Sequence, residues 1–427
     1  MARKMKDSGI EWIGEIPEGW EVAPLKRFAS IQTGNTPTKT SDSNYYASTG
    51  IPWIKPDNLG HSHSILKTSE YLTSEGALCA RIMPPNTVYV CCIGSLGKVG
   101  YSSISCACNQ QINALIFNDL MFWKYGYYLT IAQESQYLLF GNGNVLQIIN
   151  STSQGNIACV LPPLESQQLI ACYLDSVCSD IEVLISKTRS SIEEYKKLKQ
   201  AVITQAVTKG VRGEREMKDS GVEWTGEIPA EWEISRIKYV SIFEPSCDFR
   251  KLTPETIITY SPMECIKNGT FERRTSLYGN LAHTLTPFQD GDIVMAKVTP
   301  CFENGNIAIM NELQSGYGLG SSELFVFRPQ NINTRYLFYW LQNKLFVHQA
   351  CATMTGTGGL KRISPSFVKN CNIHYPPAAE QEEIADYLDA KCTEIDKLIA
   401  KKEQLVKELE SYKKSLIYEV VTGKREV

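Results

Sequence analysis

The chain has 427 residues and a formal net charge of −3, with 43% hydrophobic and 21% charged residues. This length favours two or three domains that each bury a core, and the composition excludes a mainly disordered protein. No apolar run reaches the length of a membrane span, and acidic positions instead of an apolar signal segment follow the first residues, so we predict a cytoplasmic protein without membrane association.

The chain begins with a motif that returns later. Residues 5–22 read MKDSGIEWIGEIPEGWEV and residues 217–234 read MKDSGVEWTGEIPAEWEI, which agree at 13 of 18 positions. A second segment, LPPLESQQLIACYLDSVCSDIEVLI from Leu161, returns as YPPAAEQEEIADYLDAKCTEIDKLI from Tyr375. A repeat this long indicates duplicated domains and excludes a solenoid. We therefore predict a pseudo-twofold internal duplication.

Each copy is predicted to combine the motif, a globular domain and a helix. Short apolar runs broken by Gly, Pro, Asn and Ser indicate strands and turns, with helices at residues 118–139 and 334–350. The fold class is thus α+β, with two similar mixed α/β domains. The predicted ranges are 1–160 for the motif and first globular domain, 161–216 for a helical region, 217–374 for the second motif and globular domain, and 375–427 for a final helix.

Two long helices are predicted after the Pro-Pro pairs. No Pro or Gly interrupts residues 165–209 or 379–422, and Gly210 and Gly423 follow as stop signals. Each helix would run for about 40 residues, or about 60 Å. Apolar residues at alternating three- and four-residue spacing predict a helix-pairing stripe. Its members are Ile181, Leu184, Tyr195, Leu198 and Val202 in the first copy, and Ile395, Leu398, Leu405, Leu409, Tyr412 and Leu416 in the second.

This narrow stripe requires a partner, because it cannot stabilise a lone polar helix of such length. The other copy offers a matching stripe, so we expect the two helices to pair within the chain. An antiparallel pair would place the globular domains at opposite ends, and a parallel pair is also compatible with the sequence. In the competing interpretation, each helix packs on its own globular domain.

The globular segments carry the positive charge. Residues 23–160 contain 8 Lys and Arg against 6 Asp and Glu, and residues 235–374 contain 14 against 10, whereas the other segments are acidic. Phosphate contact requires positive charge. Because the excess is small, we expect a more basic partner to supply much of the non-specific affinity for DNA.

Polar loops of the globular segments are the candidate DNA-binding elements. Asn and Gln can bond adenine through two groups, Arg and Lys suit guanine, and glycine loops present amides to phosphates. A single loop is more often a solvated turn, so the prediction depends on the whole set. The candidates are Thr33, Asn35, Thr36, Lys39, Lys55, Asn58, Ser95, Lys98, Asn109, Gln110, Gln111, Asn142 and Asn144 in the first copy, and Arg273, Arg274, Lys297, Thr299, Asn304, Asn306, Ser321, Ser322, Thr355, Thr357, Lys361 and Arg362 in the second.

Common catalytic motifs are absent from the sequence, including a phosphate-binding P-loop, His-Glu-x-x-His and Asn-Pro-Pro-Tyr. Glu194-x-Lys196 resembles a nuclease motif, but its place on a predicted long helix favours a solvated charge pair. His61 and His63 lack a nearby third ligand, and the fourteen scattered cysteines are interpreted as buried free thiols. We therefore predict no catalytic residue, no metal and no cofactor bound by this chain.

The repeated tryptophans have two possible roles. Trp12 and Trp20 return as Trp224 and Trp232 beside predicted turns. An amphipathic ring in that position usually packs, so we interpret all four as buried anchors that join globule to helix, and base stacking is the alternative.

Three repeated elements resemble the specificity subunit of type I restriction-modification enzymes. They are the Trp-x-Gly-Glu-Ile-Pro-x-x-Trp stretches at 12–20 and 224–232, the Pro-Pro-x-x-x-Gln elements at 162–167 and 376–381, and the closing Val-Thr pairs at 207–208 and 421–422. The resemblance spans nearly the whole chain. It implies two target-recognition domains that alternate with two conserved helical regions, whose helices form an antiparallel coiled coil. Each domain would read one half of an interrupted, asymmetric DNA site.

The resemblance also implies partners and their cofactors. Two modification subunits would transfer a methyl group from S-adenosylmethionine to adenine, and restriction subunits would translocate and cut double-stranded DNA with ATP and Mg²⁺. Recognition domains are the variable part of this family, and the turn at 141–147 lacks the basic residues of its counterpart at 355–362. No base-reading residue is therefore carried over from the family.

The sequence thus predicts a non-catalytic DNA-reading subunit that recognises a two-part site for partner enzymes. A rod of about 60 Å would separate the two readers by nearly two turns of B-DNA, at about 34 Å a turn. Two alternatives are a nuclease or methyltransferase with an unfamiliar active site, and a coiled-coil scaffold with protein-binding domains.

Overall fold

The structure is a computed structural model that describes residues 3–37, 44–60, 64–65, 67–141, 147–267, 269–282, 284–356 and 359–427. The chain forms two compact units, one of Met1–Arg189 with Gln404–Val427 and one of Ser190–Glu403. Two long helices, Leu164–Lys209 and Ala378–Val421, contribute residues to both units. Among the described helices, none is both long and apolar enough to cross a membrane.

An antiparallel four-stranded sheet forms the centre of the first unit. Its strands lie in the order Ala29–Thr33, Ile112–Phe117, Thr87–Cys91 and Val99–Ser102. All five residues of Thr87–Cys91 are buried, as expected for a central strand that contains two valines and a tyrosine. A second sheet contains Ala107–Cys108, Ile51–Ile54, Tyr71–Leu72 and Tyr46–Ala47, in that order.

The second unit repeats this architecture. Its main antiparallel sheet has the order Ser241–Phe243, Leu324–Pro329, Ile293–Ala296 and Ile307–Ile309, which follows the same path through the chain. A second sheet contains Arg274–Leu277, Ile257–Ser261, Tyr317–Gly320 and Thr286–Gln289, and a small hairpin joins Ile266–Lys267 to Thr270–Phe271. The equal strand order agrees with the duplication predicted from the sequence.

Short helices complete each unit. In the first, the α-helices are Ser74–Leu78, Trp123–Ala132, Glu134–Phe140 and Ser151–Gly155, with 3-10 turns at Leu25–Arg27 and Pro56–Asn58. In the second they are Ile237–Val240, Thr334–Trp340, Lys344–Ala352 and Pro365–Asn370, with 3-10 turns at Met263–Cys265, Tyr278–Asn280 and Gln314–Gly316.

The predicted helices at 118–139 and 334–350 are each divided in two. In the first copy the helix begins only at Trp123, because Asn118 forms a turn with the amide of Met121 (3.1 Å). In the second copy, the side chain of Asn343 accepts a hydrogen bond from the amide of Phe346 (2.9 Å) and begins a new helix. Asn competes with helical hydrogen bonding in this way, which the apolar pattern did not reveal.

The repeated motif forms a hairpin in each unit. Met5–Asp7 pairs with Glu15–Pro17, and Met217–Asp219 pairs with Glu227–Pro229. Trp20 and Trp232 are buried behind these hairpins, as predicted for anchors, whereas Trp12 and Trp224 are only partly buried. A Cβ added at Gly423 would lie 2.6 Å from Pro17, so the end of the second long helix packs tightly on the first hairpin.

The long helices run antiparallel within each unit. In the first unit, Glu182 pairs with Lys413 (2.5 Å) and Arg189 pairs with Glu410 (2.6 Å). Residue numbers therefore increase along one helix where they decrease along the other. In the second unit, Lys199 pairs with Asp396 (2.7 Å). Arg212, just beyond the first helix, pairs with Glu383 (2.9 Å), which gives the same direction.

The buried stripe of the helices differs from the predicted stripe at alternate positions. Ile181, Ile395 and Leu416 are buried, and Tyr195, Val202, Leu398 and Leu409 are half-buried. Leu184, Leu198, Leu405 and Tyr412 are 44–52% exposed, so their assignment to the stripe is wrong. Their C-terminal neighbours face inward instead, and Ile185 and Val406 are each 8% exposed. At 184–185 and 405–406, adjacent apolar residues made both choices compatible with heptad spacing, whereas the inward neighbours of Leu198 and Tyr412 are lysines that form ion pairs.

A repeated joint holds the globular part of each unit on the long helices. One side of this joint is an antiparallel pair of strands. In the first unit the pair is Glu21–Pro24 with Ala158–Leu161, and in the second unit it is Glu233–Arg236 with Asn372–Tyr375. The Tyr125 hydroxyl lies 3.0 Å from the carbonyl oxygens of both Val160 and Val421. The Tyr336 hydroxyl lies 2.9 Å from the carbonyl oxygen of His374 and 3.5 Å from that of Val207.

Carboxylates of the long helices complete this joint. Tyr128 donates to Asp175 (2.8 Å), and Lys124 pairs with the same carboxylate. In the second unit, Tyr339 donates to Asp389 (2.7 Å) and Arg335 pairs with it (2.6 Å). Both copies therefore fix a helix of the globule to a long helix through one tyrosine and one cation on an aspartate.

Candidate nucleic-acid interface

Turns from distant parts of the first unit meet at one end of its main sheet. The Gly94 amide donates to the Gln147 carbonyl (3.0 Å), and the Cys92 amide donates to the Gln111 carbonyl (2.8 Å). The Asn35 amide donates to the Cys108 carbonyl (3.0 Å), so the turn after strand Ala29–Thr33 also lies at this end of the sheet. Backbone bonds thus bring together four of the predicted DNA-binding loops.

Glycine permits the turn between Thr87–Cys91 and Val99–Ser102. Gly94 and Gly97 have φ values of 79° and 80°, a left-handed conformation that costs other residues energy. A Cβ at Gly141 would lie 2.9 Å from Leu96, so this turn packs closely on the end of helix Glu134–Phe140.

Several predicted readers of the first unit are engaged inside the unit. Thr33 donates to Asn113 (2.8 Å), and the Asn58 side chain accepts from the Lys55 amide (2.9 Å). Asn109 is 8% exposed, and its side chain accepts from the Gln111 amide (3.1 Å). Lys55 forms an ion pair with Glu70 (2.7 Å). Ser95, Lys98 and Gln110 are exposed, and the Thr36 hydroxyl donates to the side-chain oxygen of Gln110.

In the second unit, three loops meet at the equivalent end of the main sheet. The Thr299 amide donates to the Lys361 carbonyl (3.0 Å), and the Lys297 amide donates to the Glu323 carbonyl (3.0 Å). The Ala296 amide donates to the Asn306 carbonyl (2.8 Å), which closes the loop between the strands Ile293–Ala296 and Ile307–Ile309. Predicted readers with accessible side chains on these loops include Asn304, Ser322, Thr355, Lys361 and Arg362.

The three predicted DNA-binding arginines of the second unit form ion pairs, one in the loop cluster and two at the second sheet. Arg362 binds Glu323 through two nitrogens (2.6 and 2.8 Å), and this contact lowers the pKa of the Glu323 carboxyl. Arg273 pairs with Glu312 (2.5 Å), and Arg274 with Glu272 (2.9 Å), whose pKa is also lowered. Arg273 and Arg274 lie at the second sheet, so the structure does not bring them to the loop cluster.

Lys39, Asn142, Asn144 and Thr357 lie outside the described residues, as do His61 and His63. Lys297, Thr299, Asn306 and Ser321 are on the loops that meet, and all four are partly buried. Among the described residues, no group of three or more His, Cys, Asp and Glu could hold a metal ion. Lys196 pairs with Glu193 (2.9 Å) on the helix surface and makes no such pair with Glu194.

Arg81 belongs to the first loop cluster but was not predicted. Its guanidinium donates to the Thr33 carbonyl (2.6 Å), and its amide donates to the Asn35 side chain (2.8 Å). These contacts join positions 48 and 46 residues apart, so local sequence gives no signal for them.

Most cysteines are buried, as predicted, but Cys79 and Cys172 are exposed and contradict the prediction. All the described cysteines are free, and burial raises the pKa of the Cys92 and Cys108 thiols to about 12. Such thiols remain protonated at neutral pH and act as small apolar groups. They therefore belong to the core and not to the interface.

The loop clusters offer the chemistry of base and phosphate recognition. Their exposed groups are amides, hydroxyls, ammonium groups and the guanidinium groups of Arg81 and Arg362, which can donate to or accept from base edges. Rigid strand ends position them, as expected for binding loops on a scaffold.

Comparison with known proteins connects this arrangement to one family. A family model described as the type I restriction modification DNA specificity domain matches residues 17–194 and again 229–410. The MjaVIII specificity subunit of a type I restriction enzyme from Methanocaldococcus jannaschii is 26% identical over 424 residues, which cover 96% of this chain and 93% of that protein.

Two further similarities concern part of a relative and the fold. The EcoEI specificity subunit of Escherichia coli is 33% identical over 163 residues, or 37% of this chain, and the match spans only 27% of that subunit. A solved structure from work on assembly and conformational transition of the type I R-M system has a TM-score of 0.71 at 14% identity. That match covers 96% of this chain and 99% of the other, and it shows a shared fold.

Proposed function

The chain belongs to the type I restriction-modification DNA specificity family, and from this premise we propose that it reads an asymmetric DNA site in two parts, one with each unit. It is the non-catalytic, sequence-reading subunit of a complex in which other subunits methylate or cleave the DNA. The observation that carries the proposal is the pair of equal scaffolds with unequal loop clusters.

The contrast between the two clusters supports an asymmetric site. The first cluster presents Ser95, Gln110 and Arg81, whose guanidinium donates to a main-chain carbonyl, whereas the second presents Asn304, Thr355 and an arginine that is paired with a carboxylate. Side chains determine which base edges a protein can bind, so two different sets of donors and acceptors select two different half-sites.

The proposed complex contains two modification subunits that methylate adenine with S-adenosylmethionine and, where present, restriction subunits that use ATP and Mg²⁺. The charge of the chain supports a need for partners. Its net charge is −3, and phosphate contact provides most non-specific affinity for DNA, so more basic subunits would supply much of the binding. The loop clusters do not include the long helices, which leaves the surfaces of these helices for contact with partner subunits.

A chain with two copies of one globule tests the assignment. Residues 235–374 replace residues 23–160, which preserves the tyrosine and cation of the joint because Tyr336 and Arg335 take the places of Tyr125 and Lys124. Cells express this chain with its modification subunits, and long-read sequencing maps the methylated adenines.

We expect a motif whose two halves are the same and equal one half of the original motif. The reciprocal chain, with two copies of residues 23–160, is the matched control and should yield the other half twice. A motif unchanged by both exchanges would contradict the proposal. Methylation or cutting of DNA by the purified chain alone, with S-adenosylmethionine and Mg²⁺ added, would show instead that the chain is itself an enzyme.

A further inference from the structure

Arg362 is the most firmly anchored cation of the second loop cluster. Its amide donates to the Thr355 carbonyl (2.9 Å), and its carbonyl accepts from the Thr355 amide (3.0 Å). The residues on either side are bound to the loop that follows strand Ile293–Ala296, since the Ile363 amide donates to the Lys297 carbonyl (3.0 Å). The backbone of Arg362 is therefore fixed between two of the three loops.

The third loop fixes the side chain. Arg362 Nε donates to Glu323 Oε2 (2.8 Å), and Nη2 donates to Glu323 Oε1 (2.6 Å). Glu323 is itself held, because its amide donates to the Ser321 hydroxyl (3.2 Å) and its carbonyl accepts from the Lys297 amide (3.0 Å). The guanidinium thus has a set position even though half of the side chain (51%) is exposed.

The contact with Glu323 leaves one edge of the guanidinium for a ligand. A guanidinium has five N–H groups on two usable edges, one formed by Nε with Nη2 and one by Nη1 with Nη2. Glu323 takes the first edge, and among the described residues no acceptor is bound to Nη1. Paired N–H groups of this kind match O6 and N7 of guanine, the commonest specific contact of arginine with DNA.

The equivalent position of the first unit has the opposite chemistry. Val298 forms a β-bridge with Arg362, and in the first unit Ile93 forms the corresponding bridge with Ile148. Ile148 is 43% exposed, like Arg362, but it has no side-chain donor. The same place in the two scaffolds thus offers a pair of donors in one unit and an apolar group in the other.

We propose that Arg362 binds a guanine in the half-site of the second unit, with Glu323 as the residue that positions it. This inference rests on the proposed function, and it assigns one base class to one residue. Pre-organisation by Glu323 lowers the entropy lost on binding, because the long side chain is already ordered. The first unit makes no such contact with guanine at position 148.

The test compares the methylated motif of the wild-type complex with those of Arg362→Gln and Glu323→Gln complexes, mapped in cells by long-read sequencing. The chains with duplicated globules first identify which half belongs to the second unit. In Arg362→Gln we expect one guanine of that half to become degenerate or to change to adenine, with about 5- to 150-fold less discrimination at that base, the range for one bidentate contact. The other half remains unchanged.

Glu323→Gln and a matched control separate positioning from charge. In Glu323→Gln the guanine preference persists, but the ratio of methylation rates at guanine and non-guanine sites falls. Lys361→Gln removes the neighbouring exposed cation, and we expect it to weaken methylation of all sites alike without a change of motif. Selection of duplexes from a randomised pool by the purified complexes provides the same comparison for binding.

Three outcomes overturn the inference. They are an Arg362→Gln motif that retains every guanine, a uniform loss of binding to all duplexes in a complex that melts like the wild type, and a changed base in the half read by the first unit. The first of these leaves the proposed function intact. A wild-type complex whose methylation does not depend on this chain would refute the proposed function itself.

Discussion

A buried histidine distinguishes the second unit from the first at the level of single residues. His374 is fully buried, with Nδ1 2.9 Å from the Val207 carbonyl oxygen and Nε2 3.1 Å from the Thr225 hydroxyl. Burial lowers the pKa of His374 to about 4. Val160 occupies the corresponding position of the first unit, in the same strand register.

This histidine should make the second unit sensitive to acid. The pKa of His374 is lower in the folded chain than in the unfolded chain, where it is about 6.5, so the unfolded chain binds more protons between pH 6.5 and 4. The contribution of His374 to the stability of the folded chain is therefore fully present above pH 6.5, and it is lost as the pH falls towards 4. We expect a loss on the order of 2 kcal/mol between pH 7 and pH 5.

His374→Val, which copies the residue of the first unit, provides the comparison. The variant should lose about 2 kcal/mol less than the wild type on this acidification, or about 4–8 °C less in melting temperature for a unit of this size. Thermal unfolding of both chains at pH 7 and pH 5 measures the difference. Equal shifts in the two chains would contradict the assigned role of His374.

Residue types identified the candidate loops, but they predicted neither that these loops meet nor which side chains hydrogen-bond within their own turns. Asn58 and Asn109 have the amides expected of readers, yet both bind backbone groups of their own turns. Turn-forming asparagine and base-reading asparagine have the same sequence signature. The partner of Arg362 was not predictable either, because Glu323 lies 39 residues away and only the folded sheet brings the two together.

At the level of elements, the long helices were predicted well in length and less well in face. The predicted segments end within a residue or so of Leu164–Lys209 and Ala378–Val421, because Pro and Gly limit them. The stripe was assigned to Leu198, whereas the buried isoleucines on either side of it are Ile192, at 6% exposure, and Ile203, at 0%. Leucines on the exposed face added apolar residues at heptad spacing and shifted the pattern.

The corrected stripe predicts unequal effects of two alanine substitutions. Ile192→Ala removes a buried side chain and should lower the free energy of unfolding by about 2 kcal/mol or more. Leu198→Ala, on the same helix and 48% exposed, should lower it by less than about 1 kcal/mol. Urea unfolding followed by helical circular dichroism measures both. A larger loss in Leu198→Ala would restore the original stripe.

At the level of the whole molecule, the sequence repeat and the compact units have different boundaries. The repeat predicted the equal sheets correctly, because two copies of one sequence bury the same residues. It did not predict that Gln404–Val427 completes the first unit and that Ser190–Arg212 belongs to the second. That division depends on antiparallel pairing, which the sequence left open beside the parallel alternative.

Lengthening the paired helices should lengthen the spacer of the DNA site. Seven residues inserted after Thr188 and seven after Glu410 preserve the heptad pattern of both helices near the pair formed by Arg189 and Glu410. Each helix gains about 10 Å, so we expect about three more base pairs between half-sites whose sequences are unchanged.

Methylation mapping of the lengthened chain provides the measurement. An insertion in one helix alone is the control, because it displaces the antiparallel partners and should reduce methylation without a defined new spacer. A motif of the original spacing in the doubly lengthened chain would exclude the helices as the determinant of spacer length.

The joints of Tyr125 in the first unit and Tyr336 in the second have an implication for inheritance. They use main-chain carbonyls and one helical aspartate per unit, none of which lies in the loop clusters. Recombination between genes can therefore deliver a new globule that fits the old helices, provided it brings two tyrosines and a cation at these places. Under the proposed function, one such exchange would supply a new set of reading loops and leave the long helices unchanged.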